Sequence, residues 1–495
     1  MLPTLPVRAS FAPLAVKTLD WTDTTEALFA HFAASPWAML LDSANANHPD
    51  ARFDIIVANP IASLKVYEHH CDLAVAQALQ AATTQTAQTT QTAQHTQQTE
   101  RIDGGQCPFA LMQTLTQALY SQHKSSELPF AGGALGAFSY DLGRKVERLP
   151  NIATDDIPLP LAAIGFYDWA LIKDSHTNQW QLLHYLGDAA LETVLAQIET
   201  LRQGPAPKTP DFALTSPFGC QISREDYDAR FAAVQAYLHS GDCYQINLTQ
   251  RFEARYQGEE WQAYLALRSA NKGPFSAFIR LEEGAILSIS PERFLKLADG
   301  QVETKPIKGT LPRSSDAKED ANNADCLRQS PKDRAENLMI VDLLRNDIGR
   351  VASPGSVAVP KLFEIESFPA VHHLVSTVTG KLADGLGAFD LLKAAFPGGS
   401  ITGAPKIRAM EIIEELEPSR RSIYCGSIGY ISQDGKMDTS ITIRTLVAVD
   451  GKLYCWAGGG VVADSVADAE YQETFDKVSR ILPLLEQRFS DKNRG

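Results

Sequence analysis

The stretch PFSAFIRLEEGAILSISPERFLKL, from Pro274 to Leu297, indicates most directly how this chain folds. Apolar residues run on both sides of a Glu–Glu–Gly turn that ends at Gly284. Short apolar runs separated by a glycine turn are typical of paired strands. The stretch therefore predicts a strand, a turn and a second strand.

Segments of helical periodicity flank these strands. REDYDARFAAVQAYLHSG (224–241) has apolar residues at helical spacing and stops at a glycine. PKDRAENLMIVDLLRNDIG (331–349) predicts a helix with Leu338, Val341 and Leu344 on one apolar face. Strands and helices therefore both occur in the second half of the chain.

Three further elements follow towards the C-terminus. GAPKIRAMEIIEELEP (403–418) predicts a helix that begins close to its first proline and stops before the last one. The segment 436–460 predicts two strands around an Asp–Gly turn, and 469–489 predicts a final helix, bent near Pro483. The mixture of strands and helices predicts an α+β or α/β fold.

Two stretches divide the chain. Residues 81–100 contain no aliphatic residue larger than alanine, which predicts a flexible insertion over about 81–105. Four prolines between Arg202 and Gly219 predict a linker at 206–219. The expected organisation is an N-terminal region (1–205) and a catalytic region (220–490).

Composition excludes several classes of function. The chain has 495 residues, and its 45 basic and 59 acidic residues give a net charge of −14, which disfavours nucleic acid as a partner. Its apolar runs are too short for membrane helices, and its start does not resemble a signal peptide. Seven scattered cysteines without a C-x-x-C pair favour a reducing cytoplasm. A hydrolase elbow and a dinucleotide-binding glycine motif are absent from the sequence.

Paired carboxylates are the first candidate site. Asp333 and Glu336 are three residues apart on one predicted helix, and Glu470 and Glu473 are three apart on another, so each pair shares a helix face. Carboxylate oxygens suit Mg²⁺, and Lys477, one turn beyond Glu473, would add a cation for a carboxylate substrate. The alternative is two solvated helix faces.

Lys308 and Glu292 are the candidates for chemistry. Lys308, in TKPIKGT, lies between a strand end and a glycine turn. In an apolar environment its pKa would fall and the neutral amine would become a nucleophile. Glu292 follows an apolar strand and could act as a general acid if burial raised its pKa. A surface turn lysine and a structural salt bridge are the alternatives.

Glycine-rich segments and isolated polar residues suggest anion binding. FPGGSITGAPK (396–406) lacks the Lys–Ser/Thr of a phosphate loop, so ATP is not expected. This segment and AGGGVVADS (457–465) precede helices and could bind a carboxylate through their amides. Arg444 could bind a carboxylate or form a structural ion pair. His372 and His373 are adjacent, and the sequence does not decide which is functional.

Taken together, these segments resemble the chorismate-utilising enzymes. This family includes the large subunits of synthases that aminate chorismate, and the isochorismate and salicylate synthases. The resemblance runs from about Arg224 to Leu482 and extends more loosely over nearly the whole chain. The motifs that carry it are SPERF, PIKGT, KDRAENLMIVDLLRNDIGR, FPAVHHLVST, FPGGSITGAPKIRAMEIIEELEP, CGSIGY, MDTSITIRT, AGGGVVADS, EYQETFDK and GDCYQINLTQRF.

The resemblance implies a fold and a metal site. The expected fold is α+β, like that of anthranilate synthase component I, with large β-sheets packed face to face and helices outside. Glu336 and Glu473 would bind Mg²⁺ directly, with Asp333 and Glu470 behind them. Lys477 and the amides of Gly458, Gly459 and Gly460 would hold the ring carboxylate together with the metal.

The resemblance also implies a reaction. Arg444 and Tyr424 would bind the enolpyruvyl side of chorismate, and Thr310 and His372 would line the site. Lys308 would attack C2 while Glu292 protonates the departing 4-hydroxyl, and ammonia would then enter at C4. The ammonia would come from a separate glutamine amidotransferase subunit or from solution.

Two alternative functions remain at this stage. The first is amination at C2, although anthranilate synthases usually carry a small residue at the position of Lys308. The second is a silent regulatory subunit that binds chorismate or tryptophan. Intact Lys308, Glu292, Glu336 and Glu473 argue against it, because a silent relative has no need for all four.

The N-terminal LLDS (40–43) resembles a tryptophan-binding element of anthranilate synthases, with Asp42 in place of glutamate. A core strand and turn is the alternative. If tryptophan binds, the pocket is expected to be lined by Ser43, Asp50, Ala51, Arg52, Phe53, Pro274, Phe275 and Ser276.

Overall fold

The strands on either side of Gly284 pair as an antiparallel hairpin in the middle of a large sheet, with Phe278 opposite Leu287. The neighbouring strand approaches closely, because a Cβ on Gly284 would lie 2.0 Å from the carbonyl oxygen of Ala448. The computed structural model describes residues 12–76, 97–367 and 371–490. The predicted strand–turn–strand unit is therefore confirmed.

The first sheet has thirteen strands in the described part of the chain, and all its pairings are antiparallel. Its spatial order is β1-β10-β9-β3-β2-β14-β15-β24-β25-β13-β11, and β12 and β21 also pair with β13. The strands are β1 (Ala15–Leu19), β2 (Met39–Asp42), β3 (Phe53–Val57), β9 (Trp169–Asp174), β10 (Gln179–His184), β11 (Ala213–Leu214), β12 (Gly219–Cys220), β13 (Gln245–Gln257), β14 (Phe275–Arg280), β15 (Gly284–Ser290), β21 (Gly403–Ala404), β24 (Thr445–Val449) and β25 (Lys452–Val461).

The second sheet has twelve strands in the same described ranges, again all antiparallel. Its order is β18-β20-β17-β16-β23-β22-β7-β8-β4-β5-β6, and β19 also pairs with β20. The strands are β4 (Ala62–Val66), β5 (His70–Ala76), β6 (Gln97–Asp103), β7 (Gly133–Phe138), β8 (Ala162–Tyr167), β16 (Arg293–Ala298), β17 (Gln301–Thr304), β18 (Ile307–Pro312), β19 (Ala358–Ser367), β20 (Val371–Lys381), β22 (Ser427–Ser432) and β23 (Met437–Ile441).

The helices of the described residues cover the outer faces of these sheets. They are α1 (Thr25–Phe29), α2 (Pro108–Leu119), α3 (Asp188–Gln203), α4 (Arg224–Ser240), α5 (Glu260–Asn271), α6 (Ala317–Gln329), α7 (Pro331–Gly349), α8 (Ala388–Ala395), α9 (Lys406–Leu416), α10 (Ala467–Val478) and α11 (Leu482–Phe489), with 3₁₀ helices at Tyr140–Lys145 and Gly399–Ile401.

The main core lies between the two sheets. Apolar residues of the first sheet, such as Met39 and Ile55, pack in one cluster with residues of the second, such as Leu64 and Leu135. A second cluster fills the outer face of the first sheet beneath α1, α3 and α5. Face-to-face sheets with helices outside are the arrangement that the resemblance implied, and the α+β prediction is confirmed.

The helices predicted in the second half are present, with one correction. Arg224–Ser240 ends at Gly241, which adopts a left-handed conformation (φ 81°). Pro331–Gly349 is helical, but Leu338 is 44% exposed and lies outside its apolar face, which Ile340 and Val341 help to form. The predicted bend near Pro483 is confirmed, since the helix is interrupted between Val478, where α10 ends, and Leu482, where α11 begins.

The two sequence regions are not separate folding units. Strands from both halves share each sheet: β2 pairs with β14, and β7 pairs with β22. The expected linker 206–219 is an integral part of the fold, because β11 pairs with β13 and Phe212 is buried. Residues 213–214 and 219–220 pair with the long strand β13, and this pairing orders the segment despite its prolines.

The predicted insertion is too long at its C-terminal end. Gln97–Asp103 forms β6, which pairs along its length with β5. Ile102 is buried, and the ladder satisfies backbone groups in a segment that is otherwise polar. Residues 77–96 lie outside the described residues. Among the helices that are described, none combines the length and apolar character needed to cross a bilayer.

Candidate active site

A cavity of about 620 Å³ opens where β13 and β25 of the first sheet approach β18 and β20 of the second, beside α7 and α10. We call it the site cavity. It brings together acidic, basic and aromatic side chains, including the predicted carboxylates and the predicted reacting residues. Those used below are Asn247, Glu292, Lys308, Thr310, Lys332, Asp333, Glu336, His373, Ser400, Tyr424, Arg444, Trp456, Gly458, Gly460, Glu470, Glu473 and Lys477.

Lys308 lies on β18, within a strand rather than in the turn expected from the sequence. The register with β20 shifts between Lys308 and Thr310, so Gly309 forms a bulge with φ of 77°. A Cβ on Gly309 would lie 2.8 Å from Asp333, so only glycine fits there. Burial lowers the pKa of Lys308, while the nearby carboxylates of Glu336 and Glu292 oppose this shift. The amine is therefore easier to deprotonate than an ordinary lysine.

Glu292 follows β15 and is only 9% exposed. Burial raises its pKa, and the charge of Lys308 and a hydrogen bond from Ser400 partly offset the rise. The Ser400 hydroxyl donates to Oε1 of Glu292 at 3.0 Å. A carboxyl group in these surroundings can hold a proton and deliver it to a bound molecule.

Ser400 joins these two residues. Nζ of Lys308 donates to the Ser400 carbonyl oxygen at 3.5 Å, while the Ser400 hydroxyl contacts Glu292. The sequence had indicated the glycine segment 396–406 but had not singled out this serine. Its position between the glycines and the helix of 406–416 is the signal that could have found it.

The predicted carboxylates meet at one wall of the cavity. Asp333 and Glu336 come from α7, and Glu470 and Glu473 come from α10. Burial raises the pKa of Glu336 and of Glu470; Glu470 also receives a hydrogen bond from Ser465 at 2.7 Å, which opposes the rise. The four acids therefore face a common space and are not separate solvated helix faces.

Two lysines accompany these acids. Lys477 forms an ion pair with Glu473 at 2.7 Å, and Lys332 lies 3.9 Å from Glu336. Within the described ranges, no three acidic, histidine or cysteine side chains are gathered closely enough to hold a metal ion. The donor set is nevertheless the all-oxygen kind that suits Mg²⁺, an ion that keeps several waters or substrate oxygens.

The three glycines at Gly458–Gly460 have different neighbours. Gly458 and Gly460 line the site cavity, whereas Gly459 lies against the acids. A Cβ on Gly459 would be 3.0 Å from an oxygen of Glu470 and from one of Glu473. Lys477 donates to the carbonyl oxygen of Gly458 at 2.6 Å. Of the three expected glycines, Gly458 and Gly460 line the site cavity, and Gly459 contacts two of the acids that also line it.

Arg444 and Tyr424 lie on the wall nearest the end of β23. Burial and the charge of Arg480 lower the pKa of Arg444, and its backbone is left-handed (φ 51°). The ring of Tyr424 stacks on Trp456, with centroids 5.9 Å apart and an interplanar angle of 6°. The arrangement offers a guanidinium beside a flat aromatic wall.

His373, not His372, faces the site cavity. Nδ1 of His373 lies 2.8 Å from the Thr310 hydroxyl, and burial lowers its pKa to about 4. His372 points to the opposite face of β20, where Nε2 is 3.1 Å from Asp320 and Nδ1 is 2.8 Å from Ser367. The placement expected for His372 is therefore wrong, because neighbouring residues of a strand alternate between faces.

A second cavity, of about 440 Å³, lies between the sheets and contains most of the residues expected around tryptophan. Two expected residues are not in its wall. Ser43 instead donates to Asp54 at 2.6 Å, and Ala51 is buried elsewhere. The expected residues that do line it are Asp50, Arg52, Phe53, Pro274, Phe275 and Ser276.

Comparisons with known proteins agree with this geometry. The family model described as "chorismate binding enzyme" matches residues 38–483. The chain is 56% identical over 473 residues to aminodeoxychorismate synthase component 1 of Salmonella typhimurium, covering 95% of this chain and 98% of that protein. It is 54% identical over 474 residues to the same component of Escherichia coli, covering 96% and 99%. The crystal structure of anthranilate synthase component I from Streptococcus pneumoniae has a TM-score of 0.72 at 33% identity, covering 88% of this chain and 93% of that one.

Proposed function

The chain belongs to the chorismate-binding enzyme family, and we propose that it is the large subunit of an aminodeoxychorismate synthase. It would convert chorismate and ammonia to 4-amino-4-deoxychorismate, the precursor of 4-aminobenzoate and folate. Two relatives more than 50% identical over nearly their full length carry that name. The matches cover 99% and 98% of those relatives' lengths.

One observation carries the chemical part of the proposal. Lys308, with a lowered pKa, and Glu292, with a raised pKa, share one cavity and are both contacted by Ser400. A neutral amine and a protonated carboxyl group are the two states that nucleophilic displacement with acid assistance requires. Burial favours both states together.

The proposed reaction has two displacements. The Lys308 amine forms a bond to C2 of chorismate as both ring double bonds shift and the C4–oxygen bond breaks, and Glu292 supplies the proton with which the 4-hydroxyl leaves as water. Ammonia then forms a bond to C4, both double bonds shift back, the C2–lysine bond breaks, and Glu292 regains a proton from the new ammonium group. The sum is chorismate plus ammonia giving the 4-amino product plus water. With C2 occupied by Lys308, ammonia is directed to C4.

Mg²⁺ is the proposed metal. Glu336 and Glu473 would hold it, with Asp333 and Glu470 behind them, because these carboxylates face one wall of the cavity. When bound, the ion would neutralise and orient the ring carboxylate of the substrate. Lys477 and the amides of Gly458 and Gly460 would contact the same carboxylate.

The other end of the substrate would meet the opposite wall. Arg444 can form a bidentate contact with the enolpyruvyl carboxylate, and the Tyr424 hydroxyl can add a hydrogen bond. Thr310 and His373 would line the ring near Lys308. Chorismate is a dianion. Arg444, Lys477 and the proposed Mg²⁺ would supply local positive charge in a chain whose net charge is −14.

Two partners are proposed. A glutamine amidotransferase subunit would supply ammonia, in keeping with the "component 1" in the relatives' names. Tryptophan would occupy the second cavity, whose Phe53, Phe275 and Asp50 suit an indole ring and an ammonium group. We also propose a cytoplasmic location, which the seven free cysteines support.

The deciding experiment is product analysis. The protein is incubated with chorismate, ammonium and Mg²⁺, and the product is identified by mass spectrometry with and without a lyase that releases pyruvate from the 4-amino compound. We expect the 4-amino product alone, and 4-aminobenzoate only when the lyase is present. Anthranilate formed without the lyase would show amination at C2 and would overturn the proposal.

A further inference from the structure

A buried ion pair lies directly behind the site cavity. Arg421 is 1% exposed and Glu417 is 5% exposed. Nε of Arg421 donates to Oε2 of Glu417 at 2.8 Å, and one Nη donates to Oε1 at 2.7 Å. The two residues are four positions apart in the segment that follows α9, and neither lines the cavity.

The remaining donors of Arg421 hold two separate segments of the cavity wall. One Nη donates to the carbonyl oxygen of Ile401 at 3.0 Å, and the other donates to that of Asn247 at 2.6 Å. Glu417 in turn accepts from the hydroxyl of Thr249 at 2.7 Å. A planar guanidinium fixes its acceptors in one geometry, so the pair, together with the backbone hydrogen bond from Asn247 to Thr402 at 2.9 Å, ties β13 to the 3₁₀ turn at Gly399–Ile401.

That 3₁₀ turn carries the contact to both proposed reacting residues. Ile401 follows Ser400, whose hydroxyl donates to Glu292 and whose carbonyl oxygen accepts from Lys308. Arg421 therefore reaches the reacting groups through two intervening residues, Ile401 and Ser400. Its guanidinium also lies 6.0 Å from the centroid of the Tyr424 ring, on another part of the wall.

Stability alone is a weak reason for such a pair. Taking two charges out of water is costly, and apolar residues of similar size can replace a buried ion pair with little loss of stability. What apolar residues cannot supply is four directed hydrogen bonds to three segments. The pattern of donors therefore indicates a role in placing the cavity wall.

We infer that Arg421, held by Glu417, is a positioning residue that places Ser400 against Glu292 and Lys308. The inference rests on the proposed function, because it assigns Arg421 a role in that reaction. Loss of the pair should leave the fold intact, let Ser400 move, and reduce the rate of the chemical steps while substrate binding changes little.

The test removes both charges together. In the double variant Arg421→Met with Glu417→Met no unpaired charge is stranded, so we expect folding by circular dichroism. We expect kcat to fall about 10- to 100-fold, as misplacement by about 1 Å does elsewhere, with the KM for chorismate within about threefold. A matched control is Arg280→Met with Glu260→Met, a buried pair at 2.8 Å that does not line the site cavity, and it should keep the wild-type kcat.

The pH profile separates positioning from general loosening. Glu292 faces the cations Lys308, Lys477 and Arg444 and the hydroxyl of Ser400, and the Ser400 hydrogen bond lowers its pKa. If Ser400 moves away, the pKa of Glu292 rises. The protonated acid then persists to higher pH, so the alkaline limb of kcat should shift upwards in the double variant. Ser400→Ala should shift it in the same direction, and combining the changes should add little.

Arg421→Lys provides a second variant in case the double variant fails to fold. It keeps the charge beside Glu417 but cannot reach both carbonyl groups, so the same fall in kcat and the same shift of the alkaline limb are expected. Wild-type kcat and pH profile in a folded variant of either kind would overturn the inference. Failure of the wild-type protein to form the 4-amino product would instead refute the proposed function.

Discussion

The site cavity and the second cavity differ in how their most buried charged residues are paired. In the second cavity the charges are paired with each other: Arg293 contacts Asp50 and Asp438 at 2.8 and 2.9 Å, and Arg52 contacts Asp174 at 2.8 Å. In the site cavity, Lys477 pairs with Glu473, but Lys308 donates a long hydrogen bond to a backbone carbonyl, and Glu292 accepts from a neutral serine.

The difference appears in the direction of the pKa shifts. Burial would raise the pKa of Asp50, but the charge of Arg293 lowers it below its usual value, so this residue stays ionised. Burial prevails for Glu292 and Lys308, whose shifts favour the uncharged forms. Pairing suits recognition of a ligand, and incomplete pairing suits proton transfer and nucleophilic attack. The adjacent residues Glu292 and Arg293 belong to different cavities.

The sharpest way to break this comparison is to remove the amine. Lys308→Ala should lower kcat at least about 1,000-fold and abolish the covalent adduct, because the proposed nucleophile at C2 is lost. Intact-mass spectrometry of protein quenched during its reaction with chorismate detects the adduct. The control is Lys296→Ala in the second cavity, which should keep full activity. Wild-type turnover in Lys308→Ala would refute the role of Lys308 as nucleophile.

Removing the acid should have the next largest effect. Glu292→Gln cannot donate a proton and should lower kcat about 100- to 10,000-fold. Glu292 must be protonated to act, and burial raises its pKa, so wild-type kcat should fall as pH rises through that pKa. The alkaline limb should be missing from the residual activity of Glu292→Gln. If the variant retains the wild-type limb, a different group donates the proton.

The wall proposed to bind Mg²⁺ gives a third test. Glu473→Gln should weaken Mg²⁺ binding by about 100-fold and lower activity in parallel, because an amide oxygen carries no charge to offset that of the ion. Isothermal titration calorimetry with Mg²⁺ alone measures the affinity without relying on turnover. Asp468→Asn, on the exposed side of the same helix, is the control. An unchanged Mg²⁺ affinity in Glu473→Gln would refute the ligand role.

The local elements were predictable because their signals are local. Gly241 ends a helix, Gly284 ends a turn, and the spacing of Glu470 and Glu473 places both on one face; each depends on residues within one or two turns. The mixing of both halves in each sheet was not predictable, since the pairing of Leu41 with Ala277 joins residues more than 200 positions apart. No local pattern encodes such a partner.

The exchange of His372 and His373 has a similar origin. Which of two neighbouring strand residues faces the cavity depends on register, and a shift of one residue reverses the faces. Here the bulge at Gly309 sets the register of β18 on β20, so Thr310 lies opposite His373. The sequence showed two adjacent histidines, but it contained no signal for the bulge that decides between them.

The smallest expected effect concerns the independence of the two cavities. Asp50→Asn removes the charge proposed to meet the ammonium group of tryptophan, while Arg293 keeps its bidentate contact with Asp438. We expect kcat with ammonium to stay within about twofold of wild type. Tryptophan at about 100 times its Kd should stabilise the wild-type protein by about 2.7 kcal/mol, seen as a rise in Tm, and should stabilise the variant much less. Phenylalanine serves as the ligand control. If Asp50→Asn instead lowered kcat tenfold or more, Arg293 would be transmitting the state of the second cavity to Glu292, and the cavities would be coupled through two adjacent residues rather than separated by them.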